Sequence, residues 1–403
     1  MSSGERKKAD VVILGASFAG IEVLLQLRRR ATKALRVVVV DRQREHGYLP
    51  LVHERLAGRT PEEGARLASA KFIDSLPETE FVEGEVAELD PSAKAVTLAD
   101  GRRIEGRFLV VALGSVVTPP PELPGAEHLH TYKLGPQFQR TREALVEGLA
   151  DGATPNVVVV GGGISGVELA GDLGHLAARR PAGWGAPNVT LVTSATRLVP
   201  ELSAGTSRVV EKALRDQGVT VRTRARVVAA RADAVVVDDG GERGEVPADV
   251  AIWAAGLRPA PVLERFDLPR TEQGWLSVGP TLQCYATALP TRPDIFACGD
   301  AVRIVGGEGT WPTMQRAIEC IWQAKTVAKN ILQLAGAAAD YPEGPPPLSP
   351  HVLRETFFYG VSVGAKSYVV YRGLRVHVPV ITPWFRRWLM RQYFARYAPV
   401  AST

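Results

Sequence analysis

The stretch at residues 156–173, NVVVVGGGISGVELAGDL, constrains this chain more than any other. Four β-branched residues lead into Gly161, Gly162, Gly163, Ile164, Ser165 and Gly166, and an apolar helical pattern follows at once. This is G-x-G-x-x-G in the context that gives it meaning, the turn between a buried strand and a helix. The first glycine makes the turn and the second lets a pyrophosphate reach the backbone. The third lets helix and strand close up, while the helix N-terminus offers N–H groups and a positive dipole. A dinucleotide is therefore expected on Gly161, Gly163, Ile164, Ser165 and Gly166.

A second strand and glycine turn lie near the start, VVILGASFAG at 11–20. Gly15 and Gly20 hold the outer glycine positions, but Ser17 stands where the middle glycine belongs. Serine is small and its hydroxyl can donate to a phosphate oxygen, so the variant turn still suits a nucleotide. RVVVVD at 36–41 ends on Asp41, where a ribose-binding carboxylate is expected. RFLVVALGS at 107–115 reads as a further buried strand, and DVAIWAAG at 249–256 repeats its form after NVTLVTS at 188–194. PDIFACGDAV at 293–302 resumes the first unit.

The expected fold class is α/β, with two Rossmann-like dinucleotide-binding domains, the second inserted in the first. The predicted division is 9–150 and 271–335 for the first domain and 151–270 for the second. Residues 336–403 form a smaller C-terminal segment beyond the proline-rich AGAAADYPEGPPPLSP.

Composition narrows the function classes. The 403 residues are 45% hydrophobic and 23% charged, the balance of a globular protein. Cys284, Cys298 and Cys320 include no C-x-x-C pair, which argues against a disulfide framework or a local dithiol centre, and no metal site is expected. MSSGERKKAD has no apolar signal region, and no run is long enough to span a bilayer, so a cytoplasmic location is expected. A net charge of +5 permits an anionic partner without requiring one, and nucleic acid is not expected.

Together these segments resemble the flavoproteins with two dinucleotide domains. Within them the chain is most similar to type II NADH dehydrogenases and the related apoptosis-inducing-factor-like NAD(P)H:quinone oxidoreductases. The similarity runs in order from about residue 9 to about residue 375, and some apoptosis-inducing-factor-like members also carry serine in the first turn. The resemblance implies FAD on the first unit, with Gly15, Ala16, Ser17 and Gly20 at its pyrophosphate and Asp41 and Arg42 at the adenosine ribose. Val86 would approach the adenine, Gly114 would end the strand beside the flavin, and Gly299 and Asp300 would contact the ribityl chain. Asp300 is expected to cap a helix N-terminus there, where a carboxylate is stabilised.

The second unit would take NADH or NADPH, with Glu168 near the nicotinamide and Ala255 and Gly256 where it stacks on the flavin. NADH-specific members carry an acid at the end of the second strand. This chain has Thr193 and Ser194 with Arg197 nearby, which leaves the nucleotide open and leans toward NADPH or dual use.

The resemblance also implies a quinone acceptor. The family's A-Q-x-A-x-Q-Q helix reads here as Met314, Gln315, Arg316, Ala317, Ile318, Glu319 and Cys320, so two glutamines are replaced. Gln315 or Glu319 would assist quinone protonation, and Trp311 and Pro312 with Tyr48, Leu49 and Pro50 are candidates for an apolar slot. Sulfide-oxidising relatives work through paired cysteines, for which no partner set is evident.

The tail TPWFRRWLMRQYFARY at 382–397 places Trp384, Phe385, Trp388, Leu389 and Tyr393 on one half of a helix and Arg386, Arg387 and Arg391 on the other. Such a helix can lie in a membrane interface or dock on its own domain, and the resemblance favours peripheral membrane contact. Two rival functions remain at this stage, a reductase of a small ferredoxin- or rubredoxin-type protein and a flavin-bearing nucleic-acid-binding protein. Oligomeric state is open, a homodimer included.

Overall fold

The computed structural model describes residues 6–61, 65–133, 135–284, 294–304, 315–337, 346–354, 358–372 and 374–397. Trp311, Pro312 and Met314 lie outside them.

The first unit opens with β1 (Arg6–Leu14), α1 (Phe18–Arg30) and β2 (Val37–Asp41), followed by the short helix α2 (Val52–Leu56). β3 (Thr79–Glu83), β4 (Val86–Asp90), β5 (Ala95–Leu98) and β6 (Arg103–Val111) complete it. Their order across the sheet is β3-β2-β1-β6-β5-β4. β1 runs parallel to β2 and β6, whereas β5 lies antiparallel to the first half of β6. Residues 11–14 and 37–40 are wholly buried, which is why both strands read as unbroken β-branched or aliphatic runs rather than alternating ones.

The second sheet holds β7 (Leu129–His130), β8 (Asn156–Val160), β9 (Asn188–Val192), β10 (Thr220–Arg222) and β11 (Val250–Trp253), with α3 (Ile164–Ala178) following β8. Its order is β7-β11-β8-β9-β10, parallel throughout. After it, β12 (Ile295–Ala297) pairs parallel with Leu109–Val111 of β6, so the chain comes back to the first sheet. Helix α4 (Ala317–Gly336) then packs on α1.

The C-terminal segment is a hairpin, β13 (Tyr359–Val363) and β14 (Lys366–Tyr371), with a short β15 (Leu374–Val376) and helix α5 (Ile381–Ala395). It serves both cores. Val361, Val363, Tyr368 and Val370 join the core around the second sheet, whereas Tyr393 and Tyr397 join the core of the first. A Cβ on Gly171 of α3 would stand 2.8 Å from Val363 Cα, so glycine is what lets the hairpin lie on that helix.

Helix α5 does not bury the face that its sequence pattern predicts. Trp384, Phe385, Trp388 and Leu389 are exposed, but Tyr393 is buried and Arg386 points into the protein. The packed side of α5 and the turn after it is Thr382, Arg386, Tyr393 and Tyr397, because the surface it meets carries Glu22, Glu54 and Glu168 beside the rings of Phe18 and Tyr48.

Candidate functional site

The first glycine turn is shaped to admit a phosphate. Gly15 has a φ of 106°, and a Cβ there would stand 2.9 Å from the Ala112 carbonyl carbon. A Cβ on Gly20 would overlap the Gly15 carbonyl oxygen. Ser17 caps α1 with extended backbone but makes no side-chain cap bond, and Ile21 N–H donates to the Ser17 carbonyl at 3.0 Å. The leading N–H groups of α1 therefore form an uncapped positive pole, which fits the pyrophosphate of FAD.

Asp41 accepts from Ala16 N–H at 2.7 Å and Gln43 N–H at 2.9 Å. Burial pushes its carboxyl up, while these N–H groups oppose the shift. Arg42 turns away to Glu85 at 4.0 Å, Val86 pairs with Leu98, and Gly114, with a φ of 72°, leaves open space where a side chain would go.

Asp300 does not cap a long helix, contrary to expectation. It sits in a single 3-10 turn (Gly299–Ala301) that leads into a strand, while α4 begins later, at Ala317. Its charge is balanced by Lys133, 2.9 Å away, and Ser115 Oγ donates to it at 3.0 Å. Cys320 Sγ donates to the other oxygen at 3.5 Å. Burial, with Asp300 adding to it, pushes the Cys320 thiol well above its usual range, which favours the protonated thiol that donates here. A Cβ on Gly299 would meet Ala19 Cβ at 2.9 Å and Cys320 Sγ at 3.6 Å, so the first turn of α1, the Asp300 turn and the first turn of α4 converge.

The second turn repeats the geometry of the first. A Cβ on Gly161 would press on the Ala254 backbone at 2.8 Å, and one on Gly166 would overlap the Gly161 carbonyl oxygen. Gly162 packs 2.7 Å, by its absent Cβ, from Thr193 Oγ1. Gly163 has nothing within 4 Å of its would-be Cβ and leaves α3 without a side-chain cap, so Ile164, Ser165 and Gly166 present their N–H groups outward. Gly256 has a φ of 68° on open ground beside Ala255. Arg197, expected near a 2′-phosphate, spends its guanidinium on its own loop, donating to Val199 O at 3.3 Å and Pro200 O at 2.6 Å.

Glu168 is neither exposed nor open to the turn. It is 8% exposed and accepts from Ser362 N–H of the hairpin at 3.1 Å. Around it lie His53 Nε2 at 3.4 Å and Arg386 at 3.5 Å. Arg386 also donates to the Pro50 carbonyl at 2.8 Å, lies equally close to His53 Nε2, and stands 3.6 Å from Glu54. One turn further along α3, Asp172 takes His53 Nδ1 at 2.6 Å and the guanidinium of Arg59.

On α4, Glu319 is 1% exposed and pairs with His351 Nε2 at 2.5 Å and Gln323 Nε2 at 3.3 Å. Gln323 in turn accepts from Gly299 N–H at 2.7 Å, which ties this face to the Asp300 turn. Glu319 Oε2, an acceptor in the first turn of α4, and Gln315 Nε2, a donor just before that helix, have no hydrogen-bond partner among the described residues.

Lys133, His46, His53, Asp172, His351 and Arg386 were not singled out from the sequence as site residues with these roles. Asp172 alone left a signal, an acid four residues after Glu168 on a helix whose intervening positions are apolar or glycine.

Against known proteins, the model for the pyridine nucleotide-disulphide oxidoreductase family matches residues 9–324. A type II NADH:quinone oxidoreductase from Haemophilus influenzae is 29% identical over 81% of this chain and 80% of its own length. A demethylphylloquinone reductase from a Synechocystis species is 26% identical over 77% of this chain and 78% of its own. A solved NDH2 from Plasmodium falciparum in complex with NADH superimposes with a TM-score of 0.79, covering 98% of this chain and 96% of that one at 13% identity, a likeness of fold. The chain belongs to the pyridine nucleotide-disulphide oxidoreductase family.

Proposed function

We propose that this protein is a flavoenzyme that oxidises NADH and passes the electrons to a quinone. The observation that carries the reading is the pair of uncapped helix N-termini, each behind its own close-packed glycine turn, in a chain similar to quinone reductases along most of its length. FAD, when bound, takes hydride from the reduced nicotinamide and returns two electrons to the acceptor. The residues bind, orient and exclude water. Gly15, Ala16, Ser17 and Gly20 hold the FAD pyrophosphate, with Asp41, Arg42, Val86 and Gly114 along its length, and Lys133 pairs with Asp300 and fixes it beside the ribityl chain. Gly161, Gly163, Ile164, Ser165 and Gly166 hold the nicotinamide cofactor, with Thr193, Ala255 and Gly256 around it. Gln315 carries a free N–H donor for a quinone carbonyl, and Glu319 a free oxygen that can accept from the hydroxyl of the quinol product. The domain division at 150, 270 and 335 is part of this proposal.

NADH is favoured over NADPH because Arg197 is committed to its own loop. The test is anaerobic bleaching of the yellow protein by each nucleotide, followed by a water-soluble quinone. The expected result is rapid bleaching with NADH, a kcat/KM at least about tenfold lower with NADPH, and full reoxidation by quinone. Bleaching without reoxidation would point to a protein acceptor instead.

The outer face of α5 supports a membrane contact. Val380, Ile381, Trp384, Phe385, Trp388 and Leu389 are all exposed next to one another along the chain, and no helix among the described residues is long and apolar enough to cross a bilayer. A surface of this kind lies in the headgroup boundary, with Arg387 and Arg391 beside lipid phosphate. Replacing Trp384 and Trp388 together by alanine is expected to lower co-sedimentation with anionic vesicles about tenfold while leaving flavin content unchanged. Unchanged vesicle binding would remove this face from consideration.

A further inference from the structure

The C-terminal helix reaches the first glycine turn through one buried imidazole. His46 Nδ1 lies 3.0 Å from Ser17 Oγ, and His46 Nε2 lies 2.9 Å from the Tyr393 hydroxyl on α5. Both rings are at most 7% exposed. Phe18 meets His46 edge-on at 4.6 Å between centroids and Tyr393 at 4.9 Å, so neither ring has room to turn.

Burial, with the charge of Arg55 nearby, pushes the His46 pKa down to about 3, so the ring is neutral in ordinary buffers. A neutral imidazole has one donor nitrogen and one acceptor nitrogen. It therefore brings no charge to a phosphate, but it links the two hydroxyls rigidly, and where Tyr393 sits decides where Ser17 Oγ sits. Tyr393 is fixed in turn by its own helix. Arg396 pairs with both oxygens of the buried Glu22 of α1 at 2.5 and 2.6 Å, and Tyr397 donates to Glu22 at 3.0 Å.

We propose that α5 is a wall of the FAD site, in which Tyr393, acting through His46, orients Ser17 for the FAD pyrophosphate. The proposal rests on the reading that the turn at Gly15–Gly20 takes FAD. Ser17 is the contact residue, and His46 and Tyr393 are positioning residues. The arrangement also explains why serine replaces the middle glycine. Glycine at 17 would strip His46 Nδ1 of its partner in a buried setting, where an unpaired polar atom is costly.

The consequence runs against the usual fingerprint. Ser17→Gly restores G-x-G-x-x-G, yet it is expected to loosen FAD. In the holoprotein, the rate of FAD release, read from the rise in flavin fluorescence, is expected to increase about fivefold in Tyr393→Phe and in Ser17→Gly. The double variant Ser17→Gly with Tyr393→Phe is expected to release FAD no faster than Ser17→Gly alone, because both changes cut one chain. The phosphorus NMR signals of bound FAD should move in Tyr393→Phe, a local signature that general loosening of the fold would not give. If Tyr393→Phe does not fold, His46→Gln cuts the chain from a different segment and is expected to match it.

Wild-type release rates and unmoved phosphorus signals in Tyr393→Phe and His46→Gln would overturn the proposal, as would additive effects in the double variant. Gly20→Ala separates the two levels. If that variant keeps FAD as tightly as wild type, the turn does not hold FAD, and the underlying reading falls together with the proposal.

Discussion

Gly166→Ala is expected to leave the protein yellow with its full FAD content, yet to slow bleaching by NADH at least about a hundredfold. The Cβ it adds would overlap the Gly161 carbonyl oxygen and stand 3.0 Å from the carbon that bears it, both backbone atoms that no rotamer change can move aside. Gly161 is itself wedged against the Ala254 backbone, so the turn cannot retreat and must open instead. That displaces the N–H groups of the α3 N-terminus from a pyrophosphate they hold at close range. A hundredfold loss in kcat/KM corresponds to about 2.7 kcal/mol, the loss of one or two charge-assisted hydrogen bonds.

The FAD turn lies on a different sheet and is untouched, so dithionite should still bleach the variant at the wild-type rate. Gly163→Ala is the companion measurement. Its φ of −74° suits any residue, and nothing lies within 4 Å of the added methyl. Thermal stability should therefore hold while KM for NADH rises, since only the ligand meets the methyl. Wild-type bleaching of Gly166→Ala by NADH would show that the second turn is not the nicotinamide site.

Those two turns were legible because everything that defines them is local. A strand, three glycines and a helix within eighteen residues state their own geometry, and the parallel sheets followed from unbroken apolar runs. The acidic end of β2 was legible for the same reason, but the helix expected at Asp300 is a single 3-10 turn. What supports these sites was not legible. Lys133 reaches Asp300 across 167 residues of chain, and His46 reaches Tyr393 across 347. No spacing rule spans such separations. Helix α5 failed differently. Its periodicity marked two faces, but sorting them by polarity sent Arg386 outward, on the rule that charge seeks water. The surface that receives this helix carries Glu22, Glu54 and Glu168, and against such a surface an arginine packs inward while tryptophans stay exposed. Glu319 shows the same limit, because its partner His351 lies beyond the proline-rich connection, on a segment without a motif.

The largest expected change in stability is at Asp172. This carboxylate is wholly buried between His53 and Arg59 and one turn along from Glu168. Burial alone would push it up, but His53, Arg59 and Arg386 outweigh burial and hold it below the usual carboxylate range. For His53 burial would lower the pKa, and Glu168 and Asp172 outweigh that and raise it. Asp172→Ala leaves the Arg59 guanidinium without its counter-charge and His53 with Glu168 alone, and breaking such a buried set by one member costs about 3–5 kcal/mol.

The sign of the pH dependence follows from both shifts. A raised His53 contributes stability that is complete below the unfolded value, about 6.5, and is lost as pH rises through the folded one. A lowered Asp172 contributes stability above about 3.9 that is lost as pH falls through its folded value. The difference between wild type and Asp172→Ala in urea unfolding should therefore be greatest near pH 5–6 and shrink toward pH 9.

The cluster also does more than hold one helix. Arg59 donates to the Gly364 carbonyl at 2.9 Å, so the same guanidinium joins α3 to the C-terminal hairpin. Arg386 joins α2 to α5 at Glu54 and Pro50. With Asp172 gone, α2, α3 and the C-terminal segment lose their common counter-ion, and the hairpin and α5 should become the first segments to exchange their amide hydrogens. A variant as stable as wild type at pH 5.5 would mean that water satisfies Arg59 and His53 unaided, and that the join between the two units is apolar rather than ionic.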